Sequence, residues 1–272
     1  MVNHRLSLSE FLKALPPYGK AANQLNLISF NIQVGIQTAG YHHYLTRSWQ
    51  HLWPHKQRTP TLDRIADILQ HFDIAALQEA DGGSWRSGFI NQVEHLATKA
   101  QFPHWYQQTN RDIKPIAKHS NGLLSRVAPS QVEYHKLPGL LPGRGAMVMK
   151  IGLQEPLFVI VLHLALGTKT QAAQLGYIQN LTHDAKHVVI MGDLNNHADH
   201  LLTNTPLAHI NFHSVDPLLH TFPSWQPQRG LDHILVSDSL AINKVAVLDT
   251  PISDHLPIAM QIELPSGILL PD

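Results

Sequence analysis

Residues 187–196 read HVVIMGDLNN, an apolar run that ends in a glycine, an aspartate and two asparagines. The short β-branched run predicts a buried strand, and Gly192 allows a close backbone approach at its end. In an extended chain Asp193 and Asn195 would point to one face and Leu194 to the other. An isolated G-D-x-N pattern is also typical of an ordinary turn, so its interpretation depends on the rest of the chain.

Eight further apolar runs have the length and composition of strands. They begin at Leu25, Asp73, Gly122, Ala146, Leu157, Leu231, Val245 and Ile258. Residues 61–72, TLDRIADILQHF, repeat apolar side chains at helical spacing, and residues 87–100 and 169–184 show a similar pattern. Because helices do not alternate regularly with the strands, the pattern favours a layered α/β domain, with helices covering sheets, over a doubly wound sheet.

Composition narrows the possible functions. Lys+Arg and Asp+Glu each number 20, so the net charge is +0 and the basic bias typical of nucleic-acid binders is missing. The chain has no cysteine, which excludes a thiol nucleophile and a cysteine-ligated zinc, so any metal must be held by oxygen or imidazole. The first 20 residues contain no continuous apolar segment, so neither a secretory signal nor a membrane span is predicted, and a cytoplasmic location is expected.

The chain shows no internal repeat or long linker, so one large domain is predicted. A short leader helix is expected from Ser7 or Ser9, either of which can cap it, to Leu15. The predicted division is a leader helix and extension at 1–24, a catalytic domain at 25–264 and a tail at 265–272. The sequence makes no prediction of an oligomeric state.

Polar side chains that can bind metals or phosphate follow several predicted strands: Asn31, Glu79, His163, Asp193 and Asn195. Strand ends are common positions for site residues, because the rigid sheet fixes them. A hard divalent cation prefers carboxylate oxygen, which makes Glu79 the expected anchor. Asp73 and Asp81 are close enough in sequence to compete for that role.

A second set lies near the C-terminus, where Asp254 and His255 precede one predicted strand and Asp232 lies inside another. An aspartate that accepts a hydrogen bond from one imidazole nitrogen fixes the tautomer and directs the other nitrogen at water or phosphate. Alone, the SDH segment would be interpreted as a turn cap beside a surface histidine.

Seven motifs, taken in order, resemble those of the endonuclease/exonuclease/phosphatase superfamily: FNIQ at Phe30, LQEAD at Leu77, NGLLSR at Asn121, LHLALG at Leu162, MGDLNN at Met191, RGLDHILVS at Arg229 and SDHLPIAM at Ser253. This group includes pancreatic-type deoxyribonuclease, exonuclease III-like repair enzymes, neutral sphingomyelinases and inositol polyphosphate phosphatases. The resemblance spans residues 25–264. It implies an α+β fold of the DNase I type, a four-layer α/β/β/α sandwich with two mainly antiparallel sheets, and one or two Mg²⁺ or Mn²⁺ ions.

The resemblance also implies roles for individual residues. Asn31 and Glu79 match the metal-side positions, and Asp254 matches a further ligand or a contact to a metal-bound water. Asp193 matches the residue that activates the attacking water, and Asn195 matches its orienting partner.

The phosphate side is implied in the same way. His255 matches a phosphate-contacting histidine oriented by Asp232, and His163 matches a second histidine on that side. Asn121 matches a polar pocket residue, and Arg144 is placed where it could contact substrate.

The substrate is expected to depend on loops, because this fold hosts many activities. Residues 34–60 are rich in aromatic and cationic side chains, which suits either a recognition loop for an anionic substrate or a helix packed on the core. In the segment at residues 220–230, Trp225 and Arg229 could contact substrate or pack the loop down.

Three functions remain open from the sequence. A phosphodiesterase or phosphatase acting on a small or lipid-like phosphoester suits the neutral charge. A nuclease on DNA or RNA suits the catalytic residues but lacks a basic stretch for backbone phosphates. A non-catalytic phosphate-binding protein is disfavoured, because every expected polar position is present.

Overall fold

The computed structural model describes residues 5–14, 23–36, 58–139, 143–153 and 155–268. Within these ranges the strands are β1 Arg5–Leu6, β2 Gln24–Asn31, β3 Ile74–Asp81, β4 His104–Ile113, β5 Ala117–Ser125, β6 Gln131–Lys136, β7 Gly145–Ile151, β8 Leu157–His163, β9 His187–Asp193, β10 Asp232–Val236, β11 Ala241–Leu248 and β12 Ile258–Glu263. The helices are α1 Leu8–Lys13, α2 Arg58–Leu69, α3 Gln92–Lys99, α4 Thr168–Leu181 and α5 Ala198–Thr203.

The strands form two sheets. One has the order β1-β11-β12-β2-β3-β5-β4 and the other the order β10-β9-β8-β7-β6. The pairs β1–β11, β2–β3 and β8–β9 are parallel, and the other described pairs are antiparallel. The predicted α+β sandwich of two mainly antiparallel sheets is therefore confirmed.

Three apolar clusters separate four layers. Side chains from both sheets, including Leu27, Val159 and Met191, fill the space between the sheets. On the outer faces, α2 and α3 cover the larger sheet and α4 and α5 cover the smaller one. Strand β9 shows why the sequence run is apolar throughout: Val189 and Met191 face the inter-sheet core, whereas Val188 and Ile190 face the helices.

The elements that the sequence analysis did not predict lie mostly at sheet edges. Strands β4 and β6 are the outermost strands on one side of each sheet, and their side chains are largely exposed or half-buried. Edge strands lack the continuous apolar pattern that identifies buried ones. The helix predicted for residues 87–100 was wrong in its first half, because a 3₁₀ turn at Trp85–Ser87 is followed by Gly88 with φ +63°, and α3 begins only after the cap at Asn91.

The ends of the described chain pack against the sheets. Ser7 caps α1 in a capping box with Glu10, which decides between the two predicted serine caps, whereas Leu15 lies outside the described residues. Strand β1 pairs with β11, Phe11 is fully buried, and Ile268 joins the inter-sheet core. The domain boundaries at residues 24 and 264 stay a prediction. No helix in the described ranges is long and apolar enough to cross a membrane.

Candidate active site

The end of β9 places three polar side chains beside one another. In the register of the five-stranded sheet, Asp193 pairs with His163 on parallel β8 and with Asp232 on antiparallel β10. All three side chains are buried. The strand pairing therefore brings three residues that are far apart in sequence side by side, where β8 and β9 end and β10 begins.

Gly192 fits its position because no other residue has room there. Its φ is +151°, and an added Cβ would lie 2.0 Å from the carbonyl oxygen of Leu162 on the neighbouring strand. Only glycine tolerates both this conformation and this contact. The close approach brings the end of β9 against β8, and with it Asp193 against His163.

The expectation that Asp193 and Asn195 project from an extended segment was wrong. The chain turns after Asp193: Asn195 has φ +51°, and its backbone N–H donates to Asp193 Oδ1 at 3.0 Å. The Asn195 side chain donates to the carbonyl oxygen of Leu164 at 2.9 Å. Asn195 therefore lies beside Asp193 as predicted. It does so in a turn that the Asp193 side chain stabilises by accepting a hydrogen bond from the Asn195 backbone.

The larger sheet contributes Asn31 and Glu79. Asn31, the last residue of β2, donates from Nδ2 to Asp193 Oδ2 at 3.1 Å and also hydrogen-bonds to Glu79. Glu79 lies inside β3 rather than after it, at a break in the β3–β5 register between Leu77 and Ala80, with φ +56°. A bulge of this kind redirects a side chain, and such strained positions are common at functional sites.

The two carboxylates that competed with Glu79 have structural roles. Buried Asp81 pairs with Arg86 at 2.5 Å and accepts hydrogen bonds from Ser84 and Ser87, so it holds the loop after β3. Asp73 accepts a hydrogen bond from the backbone N–H of Asn26 at 2.7 Å, at the opposite end of β3.

Asp232 and His255 form a buried pair. His255 Nδ1 lies 2.7 Å from Asp232 Oδ2, and His255 Nε2 lies 3.9 Å from Asp193 Oδ2. Asp232 therefore holds Nδ1, and Nε2 lies on the side of Asp193. Thr221, which the sequence analysis did not identify, donates from its hydroxyl to the same Asp232 oxygen at 2.6 Å.

The segment at residues 220–230 positions Asp254 and His255 through its backbone. Ser224 N–H donates to the Asp254 carbonyl oxygen at 2.7 Å, and Leu256 N–H donates to the Thr221 carbonyl oxygen at 2.8 Å. The Phe222 ring packs against His255 with centroids 4.8 Å apart. Of the two residues singled out in this segment, Arg229 stacks on Phe222 and Trp225 is half-buried. Neither Thr221 nor Phe222 stands out in sequence, because a Thr-Phe pair has no distinctive chemistry.

His163 has an arginine as its second partner. Arg144 Nη1 lies 3.0 Å from His163 Nδ1, while His163 Nε2 lies 3.5 Å from Asp193 Oδ2. Burial lowers the pKa of His163 well below its usual value, and the nearby Arg144 cation lowers it further. His163 is therefore a neutral imidazole at neutral pH.

A cleft of about 650 Å³ opens beside these residues. The residues that line it include Glu79, Arg111, His119, Asn121, Arg144, His163 and Leu166. Asn121 is buried, and its Nδ2 has no hydrogen-bond partner among the described residues. A buried amide donor beside a cleft suits an acceptor oxygen of a bound molecule. Most of the 34–60 segment, including its aromatic residues, lies outside the described residues.

The site concentrates charge. Burial raises the pKa of Asp193 to about 7, although His255 opposes this rise. Burial alone would lower the pKa of His255, but the Asp232 and Asp193 carboxylates outweigh it and hold that pKa well above its usual value. At neutral pH the site thus contains a charged imidazole beside a carboxyl group able to take up a proton.

Two sets of side chains could hold a metal ion. Glu79 and Asp254 offer carboxylate oxygens, and Asn31 offers an amide whose oxygen accepts from Gln33 N–H. Burial together with Asp254 raises the pKa of Glu79. A divalent cation would relieve this carboxylate repulsion, so the set fits a hard ion. Asp193, Asp232 and His255 also offer ligand atoms within 4.8 Å of one another. Because His255 Nδ1 is already bonded to Asp232, the second set suits proton transfer better.

Comparison with known proteins identifies a broad family for this chain. The profile of the Endonuclease/Exonuclease/phosphatase family matches residues 28–255. No curated protein matches the sequence. An endonuclease/exonuclease/phosphatase from Beutenbergia cavernae DSM 12333 has a similar structure, with a TM-score of 0.68, 17% identity, and coverage of 90% of this chain and 72% of its own.

Two other proteins with this fold are named for an enzymatic activity. A mannosyl-6-phosphatase from Bacteroides thetaiotaomicron VPI-5482 aligns with a TM-score of 0.62 and 16% identity, over 88% of this chain and 99% of its own. ANGEL2, a 2′,3′-cyclic phosphatase, aligns with a TM-score of 0.63 and 13% identity, over 89% of this chain and 95% of its own. At these identities the similarity concerns the fold.

Proposed function

Because this chain belongs to the endonuclease/exonuclease/phosphatase family, we propose that it is a divalent-metal-dependent hydrolase of phosphoesters. The observation that carries the proposal is the position of Asp193. Its carboxylate lies within 3.1 Å of Asn31 Nδ2 and within 4 Å of the Nε2 atoms of His163 and His255. A carboxylate held in place by an amide and lying near two imidazoles is suited to take a proton from an attacking water.

In the proposed mechanism Asp193 accepts a proton from the attacking water. Asn31 and the turn at Asn195 hold the carboxylate in place. His255 is charged and held at Nδ1 by Asp232, so its Nε2 donates to a phosphoryl oxygen. No covalent enzyme intermediate is part of this scheme.

The remaining predicted residues contact the substrate. Asn121, whose buried amide nitrogen has no hydrogen-bond partner among the described residues, and Arg144 both line the cleft. Both suit a phosphoryl group, which offers several acceptor oxygens.

We assign the metal to Asn31, Glu79 and Asp254, and the ion to Mg²⁺ or Mn²⁺, one or two in number. When bound, the ion would neutralise charge on the phosphoryl and leaving oxygens. The role of the protein there is to hold oxygen ligands in place: the β3 bulge directs Glu79, and the backbone of Ser224 fixes Asp254.

A small or lipid-like phosphoester is the substrate class we favour. The cleft volume suits a compact molecule, and the net charge of +0 offers no extended basic surface for a polymer backbone. Two proteins with the same fold are named as phosphatases, one a mannosyl-6-phosphatase and the other a 2′,3′-cyclic phosphatase. A cytoplasmic location forms part of the same proposal.

The test is turnover of a substrate panel by the purified protein with Mg²⁺, with Mn²⁺ and with a chelator. The panel contains an aryl phosphomonoester, an aryl phosphodiester, a 2′,3′-cyclic nucleotide, phospholipid vesicles, and single- and double-stranded nucleic acid. We expect metal-dependent turnover of at least one small ester, abolished in Asp193→Ala. Turnover that survives in this variant would exclude Asp193 as the base, and no turnover of any substrate would favour a non-catalytic binding protein.

A nuclease remains the second candidate because the catalytic residues suit either substrate. Measuring DNA binding as a function of salt concentration distinguishes a nuclease from a hydrolase of small phosphoesters. A nuclease that contacts several backbone phosphates loses affinity steeply with salt. We expect weak binding with little salt dependence, and a steep dependence would favour the nuclease.

A further inference from the structure

The contact between Arg144 and His163 determines which imidazole nitrogen carries the proton. A guanidinium has only N–H donors and keeps its charge, so an imidazole nitrogen that faces it must accept. Arg144 Nη1 lies 3.0 Å from His163 Nδ1. The proton of the neutral imidazole is therefore on Nε2.

We propose that Arg144 fixes His163 as the neutral Nε2–H tautomer, and that His163 acts as a hydrogen-bond donor to a phosphoryl oxygen and not as a proton-transfer group. The tautomer follows from this contact alone. The phosphoryl partner rests on the proposed function, because Nε2 faces the site that contains Asp193.

Backbone pairing fixes the main-chain positions of both Arg144 and His163. His163 ends β8 and is 5% exposed. Arg144 immediately precedes β7, which pairs with β8 from Ala146 opposite Leu162, and the Arg144 carbonyl accepts from Leu137 N–H at 3.1 Å. The strand register thus brings the guanidinium to the imidazole.

The surroundings also oppose a charged His163. Burial disfavours the imidazolium, and Arg144, His255 and His119 lie close enough to disfavour it further. Protonation of Nδ1 would place an N–H against the donors of Arg144, which costs the hydrogen bond and adds like-charge repulsion. The charged histidine of the site is His255, whose Nδ1 faces a carboxylate instead.

The two histidines therefore have different roles in the proposed reaction. His255 carries charge and belongs to the group in which protons move, with Asp193 and Asp232. His163 contributes a fixed donor, in the manner of an oxyanion-hole group that is oriented before the reaction begins.

The tautomer is tested by long-range ¹H–¹⁵N correlation spectra of protein labelled in histidine, without metal or substrate. The His163 signals are assigned by their loss in His163→Gln. We expect the pattern of a neutral ring with its proton on Nε2 in the wild type, and averaging between tautomers in Arg144→Met. Arg111→Met, which removes another arginine of the same cleft, should leave the His163 pattern unchanged.

Three outcomes of this spectrum would overturn the proposal. A wild-type His163 with its proton on Nδ1 contradicts the assignment, and so does an imidazolium at neutral pH. A tautomer that persists in Arg144→Met shows that Arg144 does not fix it. A folded state of that variant is confirmed from the other histidine signals, and Arg144→Lys, which keeps the charge, provides a second comparison.

The donor role is tested by kinetics with three substitutions. Glutamine places an amide N–H near the position of Nε2, whereas asparagine places it near Nδ1, where it faces Arg144. If His163 only donates, His163→Gln should keep kcat/KM within about tenfold of wild type, and His163→Asn and His163→Ala should lose about 10²-fold to 10³-fold. Equal losses in all three would show that His163 transfers a proton. If the wild type turns over no phosphoester, the proposed function fails while the spectrum still decides the tautomer.

Discussion

Asn31 and Asp193, 162 residues apart in sequence, are joined across the two sheets by a hydrogen bond of 3.1 Å. Asn31 ends β2 of the larger sheet and Asp193 ends β9 of the smaller one. The Asn31 oxygen accepts from Gln33 N–H at 3.2 Å, which fixes the amide so that its nitrogen points at Asp193. This contact connects the proposed metal side of the site with the proposed water-activating side.

Replacing Asn31 by alanine should lower kcat/KM about 10-fold to 100-fold, because the carboxylate of Asp193 loses the donor that holds it. Steady-state kinetics on the best substrate of the panel measures the effect. Asn204→Ala, the same change at an exposed residue, should leave the kinetics unaltered. Full activity in Asn31→Ala would remove Asn31 from the site.

Thr221→Val should lower kcat about tenfold with a smaller change in KM. Valine keeps the shape of threonine but removes the hydroxyl that donates to Asp232 at 2.6 Å and accepts two backbone N–H groups. Thr221→Ser retains the hydroxyl and should recover most of the activity. If serine and valine give equal losses, packing of the γ-methyl group, and not the hydroxyl, is the important feature.

Glu79→Gln should weaken binding of Mn²⁺ on the order of tenfold or more, because it removes a carboxylate from the proposed ligand set. Isothermal titration calorimetry with the metal alone measures this without any substrate. The unfolding free energy should change little, since burial and Asp254 disfavour the Glu79 charge while its contacts with Asn31, His255 and Arg144 favour it. Unchanged affinity would place the ion elsewhere.

Asp81→Asn should have the opposite pattern. The substitution breaks the buried ion pair with Arg86 and should reduce the unfolding free energy by about 3–5 kcal/mol, as measured by urea denaturation. Affinity for Mn²⁺ should stay at the wild-type value. A large loss of affinity with normal stability would mean that Asp81, two residues from Glu79, is the true ligand.

Gly192→Ala should cost at least about 3 kcal/mol of stability, because the added methyl group meets the Leu162 carbonyl oxygen at 2.0 Å in a conformation that alanine rarely adopts. Gly176→Ala is the matched control. Gly176 lies inside α4, where the nearest neighbour of an added Cβ is 3.7 Å away, and alanine should stabilise this helix by about 0.5–1 kcal/mol. Thermal unfolding of both variants distinguishes the two effects.

The sequence by itself determined the buried strands and the identity of the chemical groups. Strands such as β9 are apolar on both faces, and a polar residue at the end of such a run stands out against it. These ends and their order along the chain make up the motifs that resemble a known family, and that resemblance implied the sandwich and the candidate site residues. Exposed β4 and β6 have no comparable pattern and were not predicted.

Only the tertiary structure decided how these groups are connected. The β3 bulge at Glu79 depends on pairing with β5, and the contacts of Thr221 and Arg144 depend on partners at a distance in sequence. The ion pair of Asp81 with Arg86 and the turn at Asn195 also appear only in the folded chain. The physical reason is that hydrophobic periodicity is a local property of the chain, whereas hydrogen-bond partners and charge environments are set by strand register and by the packing of one sheet on the other.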